Sequence, residues 1–502
     1  MDTTEVPPVT QPEREAPSLT VARNMFHLVL GQVATTALAI VLSAVLGRFL
    51  GAEGYGRFFV ITTIANFAYV FVEWGQPAFL IRSIATQPLR SGELLGTALA
   101  LRAGFALIVL LPAGVAAWAM GYGWRVSGLS LFLIVAMLPF FLAQGYGMVF
   151  RAQDRMGLDA TISVVNKTLL LAVTLLALML GTGLSGVITS QAIAGVGAAV
   201  LAWGLYRHAR APSLRTSLPI AREIVRGGIP MLAMTAAVWT QPYLDTVLLA
   251  RLAPAAAVGW FGAARNILGT LMAPATILGA AAYPRLSRQA HDSLPSLRRE
   301  ARAAMRTIFW LGALAGTGTY LFAHLAVRLI YGSRGFDPAA TILQVFAPGL
   351  FLLFTDILLG NIVYACGGAH GLAVAKMISV VVSTALDALL IPVFQARTGN
   401  GGIAVVIAFG ASEAVVFAGA IITIRRGVLS RGVLVDAARA LGSAAGTLLL
   451  FRLLPPLIFP VGVLLCVVAF TGFSYALGLV RLDDLAVFQD LLRIPRPKAR
   501  PG

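Results

Sequence analysis

Charged and polar side chains occur inside the long apolar stretches of this sequence. In hydrocarbon, an ionisable group is costly unless it has a partner or faces a watery cavity, so these residues are candidates for function. The candidates for binding a substrate in a polar cavity are Asn24, Gln32, Arg82, Arg102, Arg151, Lys167, Arg265 and Lys376. The acidic candidates, expected to line a polar cavity and hold a coupling ion, are Glu73, Asp245, Asp356, Asp387 and Glu413.

Asp245 lies well inside its apolar stretch, in Trp239-Thr-Gln-Pro-Tyr-Leu-Asp-Thr-Val-Leu248. We interpret it as a proton or cation site, or as the partner of an arginine. Arg265 is placed at a suitable depth to be that partner.

Several of the other charges have a simpler explanation. Lys167, Glu73 and Lys376 lie within a few turns of a span end, where a long side chain can reach the interface by snorkelling. Arg102 would then mark the start of a span. Both readings stay open for these residues.

Proline residues interrupt several apolar stretches. Each removes a helix hydrogen bond and favours a kink. Pro230 and Pro242 fall in the same stretch, just after Gly227 and Gly228. We predict a hinge there.

Catalytic signatures are missing from the sequence. It contains no His-Glu-x-x-His and no Gly-x-Ser-x-Gly pattern. None of its three lysines follows a glycine, as a phosphate-binding Gly-Lys-[Ser/Thr] loop requires. We therefore expect no enzyme and no cofactor, and a proton or sodium gradient is the candidate energy source.

The composition determines the class of protein. Of 502 residues, 58% are hydrophobic and only 12% are charged, whereas soluble domains carry about 25% charged residues. An apolar run of about 20 residues crosses a bilayer as a helix. We predict an all-α polytopic membrane protein with roughly fourteen spans, at 24–49, 57–80, 92–118, 127–150, 158–181, 184–206, 228–251, 259–282, 305–328, 340–364, 372–394, 402–424, 436–455 and 459–480.

The arginines cluster in alternate loops. This positive-inside pattern explains the net charge of +17 without nucleic acid as a partner. It predicts a multi-pass membrane protein, in contact with membrane lipids and with both termini in the cytoplasm.

The predicted spans divide as six, six and two. We expect two six-helix bundles, related as a parallel pseudo-repeat around a central cavity, followed by two extra helices. The predicted segments are a disordered arm (1–19), a first bundle (20–207), a basic linker (208–226), a second bundle (227–425), two additional helices (426–480) and a basic tail (481–502).

An internal sequence repeat supports this division. The hairpin at 24–82 turns at Leu50-Gly-Ala-Glu-Gly-Tyr-Gly-Arg-Phe58, and the hairpin at 228–288 turns at Ala253-Pro-Ala-Ala-Ala-Val-Gly-Trp-Phe261. When Gly56 is aligned with Gly259, Phe58 aligns with Phe261. The two hairpins are separated by roughly 200 residues, as a duplicated bundle would require.

These segments also resemble a known family. Leu46-Gly-Arg-Phe-Leu-Gly-Ala-Glu-Gly-Tyr-Gly-Arg-Phe58 and Trp74-Gly-Gln-Pro-Ala-Phe-Leu-Ile-Arg-Ser-Ile-Ala85 look like the opening of bacterial polysaccharide flippases. Asp245-Thr-Val-Leu-Leu-Ala-Arg251, Val258-Gly-Trp-Phe-Gly-Ala-Ala-Arg265 and Tyr283-Pro-Arg-Leu-Ser287 are similar to that family's seventh and eighth spans. Trp260-Phe261 stands where the family usually has a single aromatic residue.

The resemblance implies the multidrug/oligosaccharidyl-lipid/polysaccharide (MOP) exporter superfamily, in which two six-helix bundles form a V-shaped cavity. It implies a flippase for polyprenyl-diphosphate-linked oligosaccharide in a bacterial cytoplasmic (inner) membrane, used in O-antigen or exopolysaccharide assembly, with Asp245 and Arg265 as site residues. A polysaccharide polymerase and a chain-length regulator would be its partners.

Other functions stay open from the sequence. One is a proton- or sodium-coupled exporter of cationic compounds, which the intramembrane acids would suit. Another is a flippase for lipid II, the peptidoglycan precursor. A membrane-embedded enzyme is disfavoured, because such enzymes usually carry long acidic outer loops.

Overall fold

In the computed structural model the chain is helical along almost its whole described length. The structure describes residues 17–480, apart from 122, 210–211, 333–334, 426 and 455–457, and gives only the backbone of 17–28, 119 and 291. The predicted arm up to residue 16 and the predicted tail 481–502 lie outside the described residues. The helices are α1 (Pro17–Glu73), α2 (Gln76–Thr86), α3 (Ser91–Ala119), α4 (Trp124–Ala152), α5 (Met156–Met179), α6 (Gly183–His208), α7 (Leu218–Leu252), α8 (Ala255–Leu271), α9 (Ala273–Asp292), α10 (Leu294–Tyr331), α11 (Asp337–Ala365), α12 (Ala369–Thr398), α13 (Gly402–Thr423), α14 (Arg431–Leu453) and α15 (Phe459–Ala476).

The helices account for the predicted spans. Twelve stretches of the described chain are long and apolar enough to cross a membrane, and the first, Val29–Thr86, is long enough to cross twice. Helix α7 covers the predicted span at 228–251 and begins earlier, at Leu218. The fold class predicted from the sequence, an all-α polytopic membrane protein, is confirmed.

Two breaks shape the first hairpin. Inside α1, Gly51 has φ 68° and ψ 179°, which interrupts the helical path between the two predicted spans. Trp74 and Gly75 both have positive φ and separate α1 from α2. The left-handed region is readily open to glycine but strained for tryptophan. A milder interruption at Met272, whose φ and ψ stay helical, separates α8 from α9, which has Pro274 in its first turn. The predicted spans 57–80 and 259–282 are therefore both broken helices.

By its contacts the chain forms two compact units. The first unit comprises the residues up to Val45 and Ile61–Ala236, and the second comprises Leu46–Val60 and the residues from Ala237 onward. These boundaries differ from the sequence-based division, because 46–60 groups with the second unit and 227–236 with the first. The predicted extra helices α14 and α15 belong to the second unit, where they pack on α10.

Each unit has its own apolar packing. In the first unit, α2, α3, α4, α6 and the start of α7 enclose a core of buried residues that includes Leu80, Leu95, Val149 and Ile224. In the second unit, α10 and α11 share the most extensive helix–helix contact, and α12 packs along α13. Polar side chains buried inside these packed helices need hydrogen-bond or charge partners.

Candidate functional site

Arg102 is the largest fully buried side chain of the described residues. On α3, its Nε donates a hydrogen bond to Gln76 Oε1 at 3.0 Å, and its Nη1 donates to the carbonyl oxygen of Phe141. Its Nη2 lies 3.8 Å from Glu73 Oε1. Glu73 and Gln76 flank the Trp74–Gly75 break, so the guanidinium ties both sides of the break to α3 and α4. The structure therefore gives Arg102 protein partners on every side and leaves no open face for an external anion.

Lys167 has different surroundings. It lies near the middle of α5, next to the buried Asn166, and its side chain is half-buried. Within the described part of the chain, the structure gives its ammonium group no ion-pair or hydrogen-bond partner. An intramembrane cation without a counter-ion is a functional-site candidate by default.

The remaining basic and polar candidates of the first unit are scattered. Arg151 Nε pairs with Asp159 Oδ2 at 2.6 Å, which joins the end of α4 to the start of α5. Arg82 is exposed on α2. Gln32 is exposed on α1 and donates from Nε2 to Thr36 Oγ1 at 3.3 Å. The side chain of Asn24 lies outside the described residues.

Asp245 and Asp387 form a carboxylate pair in the second unit. Both side chains are buried, on α7 and α12, and their carboxylates lie next to each other. Ser383 Oγ donates to Asp245 Oδ1 at 3.3 Å. Neither oxygen of Asp387 accepts a hydrogen bond from the residues the structure describes. Two adjacent buried carboxylates do not both stay ionised without a compensating cation.

Arg265 is close to this pair but does not bind it directly. Its Nη1 donates to the carbonyl oxygen of Pro242 at 2.9 Å, and its charge acts on the Asp245 carboxylate from one turn away. Thr246 Oγ1 donates to the same carbonyl at 2.9 Å. Arg265 therefore binds the backbone of α7 at Pro242, and Asp245 lies against Asp387 instead.

The two hinge candidates lie inside one continuous helix. Pro230 and Pro242 are both within α7, and the boundary between the compact units falls between them, at Ala236–Ala237. A proline leaves the carbonyl four residues earlier without its helix donor, which makes bending easier at that point. The hinge role itself stays a prediction.

A second acidic cluster joins α11, α12 and α13. Lys376 Nζ donates to Asp356 Oδ2 at 2.8 Å, and the Glu413 carboxyl interacts with both groups. Lys376 thus has an internal counter-ion, which makes it a poor candidate for binding an external anion.

One further charged cluster, around Asp436, was not predicted from the sequence. Asp436 on α14 is 1% exposed and accepts from Arg302 Nε at 2.8 Å and from Arg439 Nη1 at 3.2 Å. Arg302 stands between Arg298 and Arg306 at helical spacing, and these two donate to the carbonyls of Gly427 and Leu479. The four-residue spacing of these arginines was visible in the sequence. Across the described ranges, no group of three or more His, Cys, Asp or Glu residues could hold a metal ion.

Comparison with known proteins places this chain in a family. Residues 21–289 match the family model described as "Polysaccharide biosynthesis protein". The chain belongs to the polysaccharide biosynthesis protein family. No curated protein matches the sequence. This family is part of the MOP superfamily, so the resemblance read from the sequence is confirmed.

Solved structures of the same superfamily share the fold of this family member. The inward closed conformation of the lipid II flippase MurJ is 11% identical, with a TM-score of 0.68, over 93% of this chain and 100% of that one. An inward-facing multidrug resistance MATE family transporter is 13% identical, with a TM-score of 0.62, over 80% and 97% of the two chains. A MOP superfamily transporter from Pyrococcus furiosus is 14% identical, with a TM-score of 0.55, over 86% and 97%. The family match and the shared fold together make this chain a multi-pass membrane flippase or exporter.

Proposed function

We propose that this protein is a flippase that moves polyprenyl-diphosphate-linked oligosaccharide repeat units from the cytoplasmic to the outer leaflet of the bacterial inner membrane. The transported units would serve cell-surface polysaccharide biosynthesis. The family match supports a role in polysaccharide biosynthesis. The single observation that carries the choice of an anionic lipid substrate is the unpaired Lys167 within α5.

The charge balance of the candidate cations supports this choice. Arg102, Lys376 and Arg151 are all paired with carboxylates of the protein. Lys167 has no such partner in the described chain, so a ligand with a negative charge would compensate it. A diphosphate offers several oxygen acceptors for an ammonium group. The polar sugar would travel with the diphosphate, and the polyprenyl tail would stay in the lipid.

The carboxylate pair of Asp245 and Asp387 supports ion coupling. Two buried carboxylates with a nearby hydroxyl, Ser383, offer oxygen ligands to a small cation or hold a proton. A proton or sodium gradient would then drive the cycle through α7, the helix that carries both hinge candidates. The same pair favours a second candidate function, cation-coupled export of cationic compounds. A flippase for lipid II is a third candidate, which shares the anionic diphosphate lipid and differs in the sugar.

The phenotype of a gene deletion distinguishes the three candidate functions. Deletion of the gene should abolish the surface glycan and leave polyprenyl-linked repeat units on the inner leaflet. Loss of peptidoglycan synthesis would instead indicate lipid II as the substrate. Increased sensitivity to cationic dyes with a normal surface glycan would reject the oligosaccharide flippase in favour of the exporter. A polysaccharide polymerase and a chain-length regulator are the expected partners, testable by co-purification.

Variants of Lys167 test the anion contact. Lys167→Met should lose most glycan export, whereas Lys167→Arg, which keeps the positive charge, should retain it. Thr168→Val is the matched control, because Thr168 is the exposed neighbour on the same helix. Surface glycan and protein level are measured together. Normal export by Lys167→Met at normal expression would reject the role of Lys167.

A further inference from the structure

Three helices of the second unit bring three ionisable side chains together. They are Asp356 on α11, Lys376 on α12 and Glu413 on α13. Asp356 and Glu413 are 7% and 6% exposed. Lys376 Nζ lies 2.8 Å from Asp356 Oδ2, so the first carboxylate and the ammonium form a close pair.

The cluster holds one more acid than base. Asp356 and Lys376 neutralise each other when both are ionised, and Glu413 is left over. Glu413 Oε2 and Asp356 Oδ1 are both buried and accept no hydrogen bond from the described residues. A buried carboxylate oxygen that has no donor disfavours the ionised form of its group relative to the neutral acid. The charge count therefore calls for one additional positive charge at this cluster.

Among the residues that the structure describes, no other basic side chain acts on Glu413. The charged groups that act on Glu413 are Asp356 and Lys376, and the further titratable group acting on Lys376 is Tyr364 of α11. On the other packed elements, Arg265 of α8 binds the Pro242 carbonyl and Asp387 of α12 adjoins Asp245. These two groups therefore belong to the other cluster of the unit.

The helices approach closely beside the cluster. A Cβ atom on Gly419 of α13 would overlap the Cβ of Ala375, the residue before Lys376. The ammonium group of Lys376 repels any metal cation placed between the two carboxylates. A proton bound directly to a carboxylate oxygen removes the surplus negative charge at its source.

We propose that Asp356, Lys376 and Glu413 form a proton-binding site in which Glu413 carries one exchangeable proton. On release, the O–H bond of the Glu413 carboxyl breaks, the proton passes to water, and the cluster changes from neutral to a net charge of one negative unit. The Lys376 side chain is 33% exposed, which leaves a route for exchange with the surroundings. The presence of the proton does not depend on the proposed function. Its role as the coupling proton of the transport cycle does rest on that function.

The protonation state is measured directly by infrared difference spectroscopy on the purified full-length protein, in water and in deuterium oxide. The signal is the carbonyl stretch of a protonated carboxylic acid, which shifts on deuteration. Glu413→Gln should lose one such band at neutral pH. Asp356→Asn should lose the same band, because Glu413 then ionises to pair with Lys376. Lys376→Met should add a band, because Asp356 loses its counter-ion.

The controls keep this test decisive. Asp387→Asn changes the other cluster, so the Glu413 band should survive in that variant. An unchanged acid spectrum in Glu413→Gln, or a Glu413 band that persists in Asp356→Asn, overturns the proposal. Glu413→Gln has the shape of the protonated acid and is expected to fold. If Asp356→Asn does not fold, the Lys376→Met spectrum decides, and the absence of a new band overturns the proposal.

The infrared measurement and the transport assay test the two proposals independently. The infrared measurement uses no transported substrate, so its failure leaves the flippase proposal intact. Conversely, normal surface glycan after gene deletion rejects the flippase and leaves the proton site standing. If both proposals are correct, glycan export by the Glu413→Gln variant should no longer depend on the proton gradient.

Discussion

Gly56 and Gly259 lie against each other within the second unit. A Cβ on Gly56 would overlap the carbonyl oxygen of Ala255, and a Cβ on Gly259 would overlap the carbonyl oxygen of Ala52. The two contacts are equivalent, because Ala52 precedes Gly56 as Ala255 precedes Gly259. The alignment of the two hairpins from sequence therefore corresponds to a symmetric contact in space. Phe59 and Gly262, which match in the same register, also touch.

Enlarging either glycine should destabilise this contact. Gly56→Ala and Gly259→Ala place a methyl group where backbone atoms already stand, and overpacking of this kind costs about 1–3 kcal/mol. The melting temperature of the purified protein should fall in both variants. Gly104→Ala is the control, because a Cβ at Gly104 meets no neighbour, and its melting temperature should hold or rise. Unchanged stability of both hairpin variants would contradict the close contact.

Removal of the buried guanidinium should destabilise the first unit. Arg102→Met leaves Gln76 and the Phe141 carbonyl without a donor and Glu73 without its counter-charge, with an expected loss of about 2–4 kcal/mol. Thermal unfolding measures the change, and Arg82→Met, on the exposed face of α2, should have little effect. A stable Arg102→Met that fails only in glycan export would instead indicate that Arg102 contacts the substrate.

The carboxylate pair should respond to a small cation. Asp245, Asp387 and Ser383 present oxygen ligands, and among the described residues no lysine or arginine forms a hydrogen bond or ion pair with them, although the charge of Arg265 acts on Asp245. We expect sodium, compared with choline at equal ionic strength and pH, to raise the melting temperature of the wild type, because a ligand stabilises the state that binds it. Asp387→Asn should lose this response, and Asp337→Asn, at an exposed ion pair with Arg328, should keep it. A wild type indifferent to sodium would argue against a metal ion at this pair.

Asp436 should hold the last two helices to α10. Asp436→Asn weakens the contacts with Arg302 and Arg439, and the loss of a buried carboxylate beside two arginines is expected to cost about 2–4 kcal/mol. Limited proteolysis should then cut the segment between α13 and α14 faster than in the wild type. Asp292→Asn, on the exposed end of α9, is the control. Equal cleavage rates in the wild type and Asp436→Asn would show that apolar packing alone retains α14 and α15.

The long apolar stretches were predictable because hydropathy is a local property. In a bilayer each span must satisfy its own backbone, so length and composition are enough to predict a helix. The broken helices were harder. Pro77 and Pro274 were visible in the sequence, but the interruptions at Trp74–Gly75 and Met272 lie two or three residues before them, and a proline does not by itself determine where the helix stops.

The sequence predicted which residues are candidates for the site, but not which of their side chains pair with each other. The sequence indicated Asp245 and Arg265 as possible partners, and in the structure Arg265 binds the Pro242 carbonyl while Asp245 adjoins Asp387. Lys376 was grouped with the substrate-binding cations, and the structure pairs it with Asp356. The functional roles of these residues stay predictions.

By itself, then, the sequence determined the class of protein, the helices, the family resemblance and the identity of the buried charges. Each of these depends on composition, periodicity or a short motif. Only the tertiary structure decided which charge meets which: it pairs Arg102, Arg151 and Lys376 with carboxylates and gives Lys167, within the described chain, no carboxylate partner. The physical reason is that pairing depends on the rotation and depth of each helix against its neighbours. Both are determined by contacts between residues far apart in the chain.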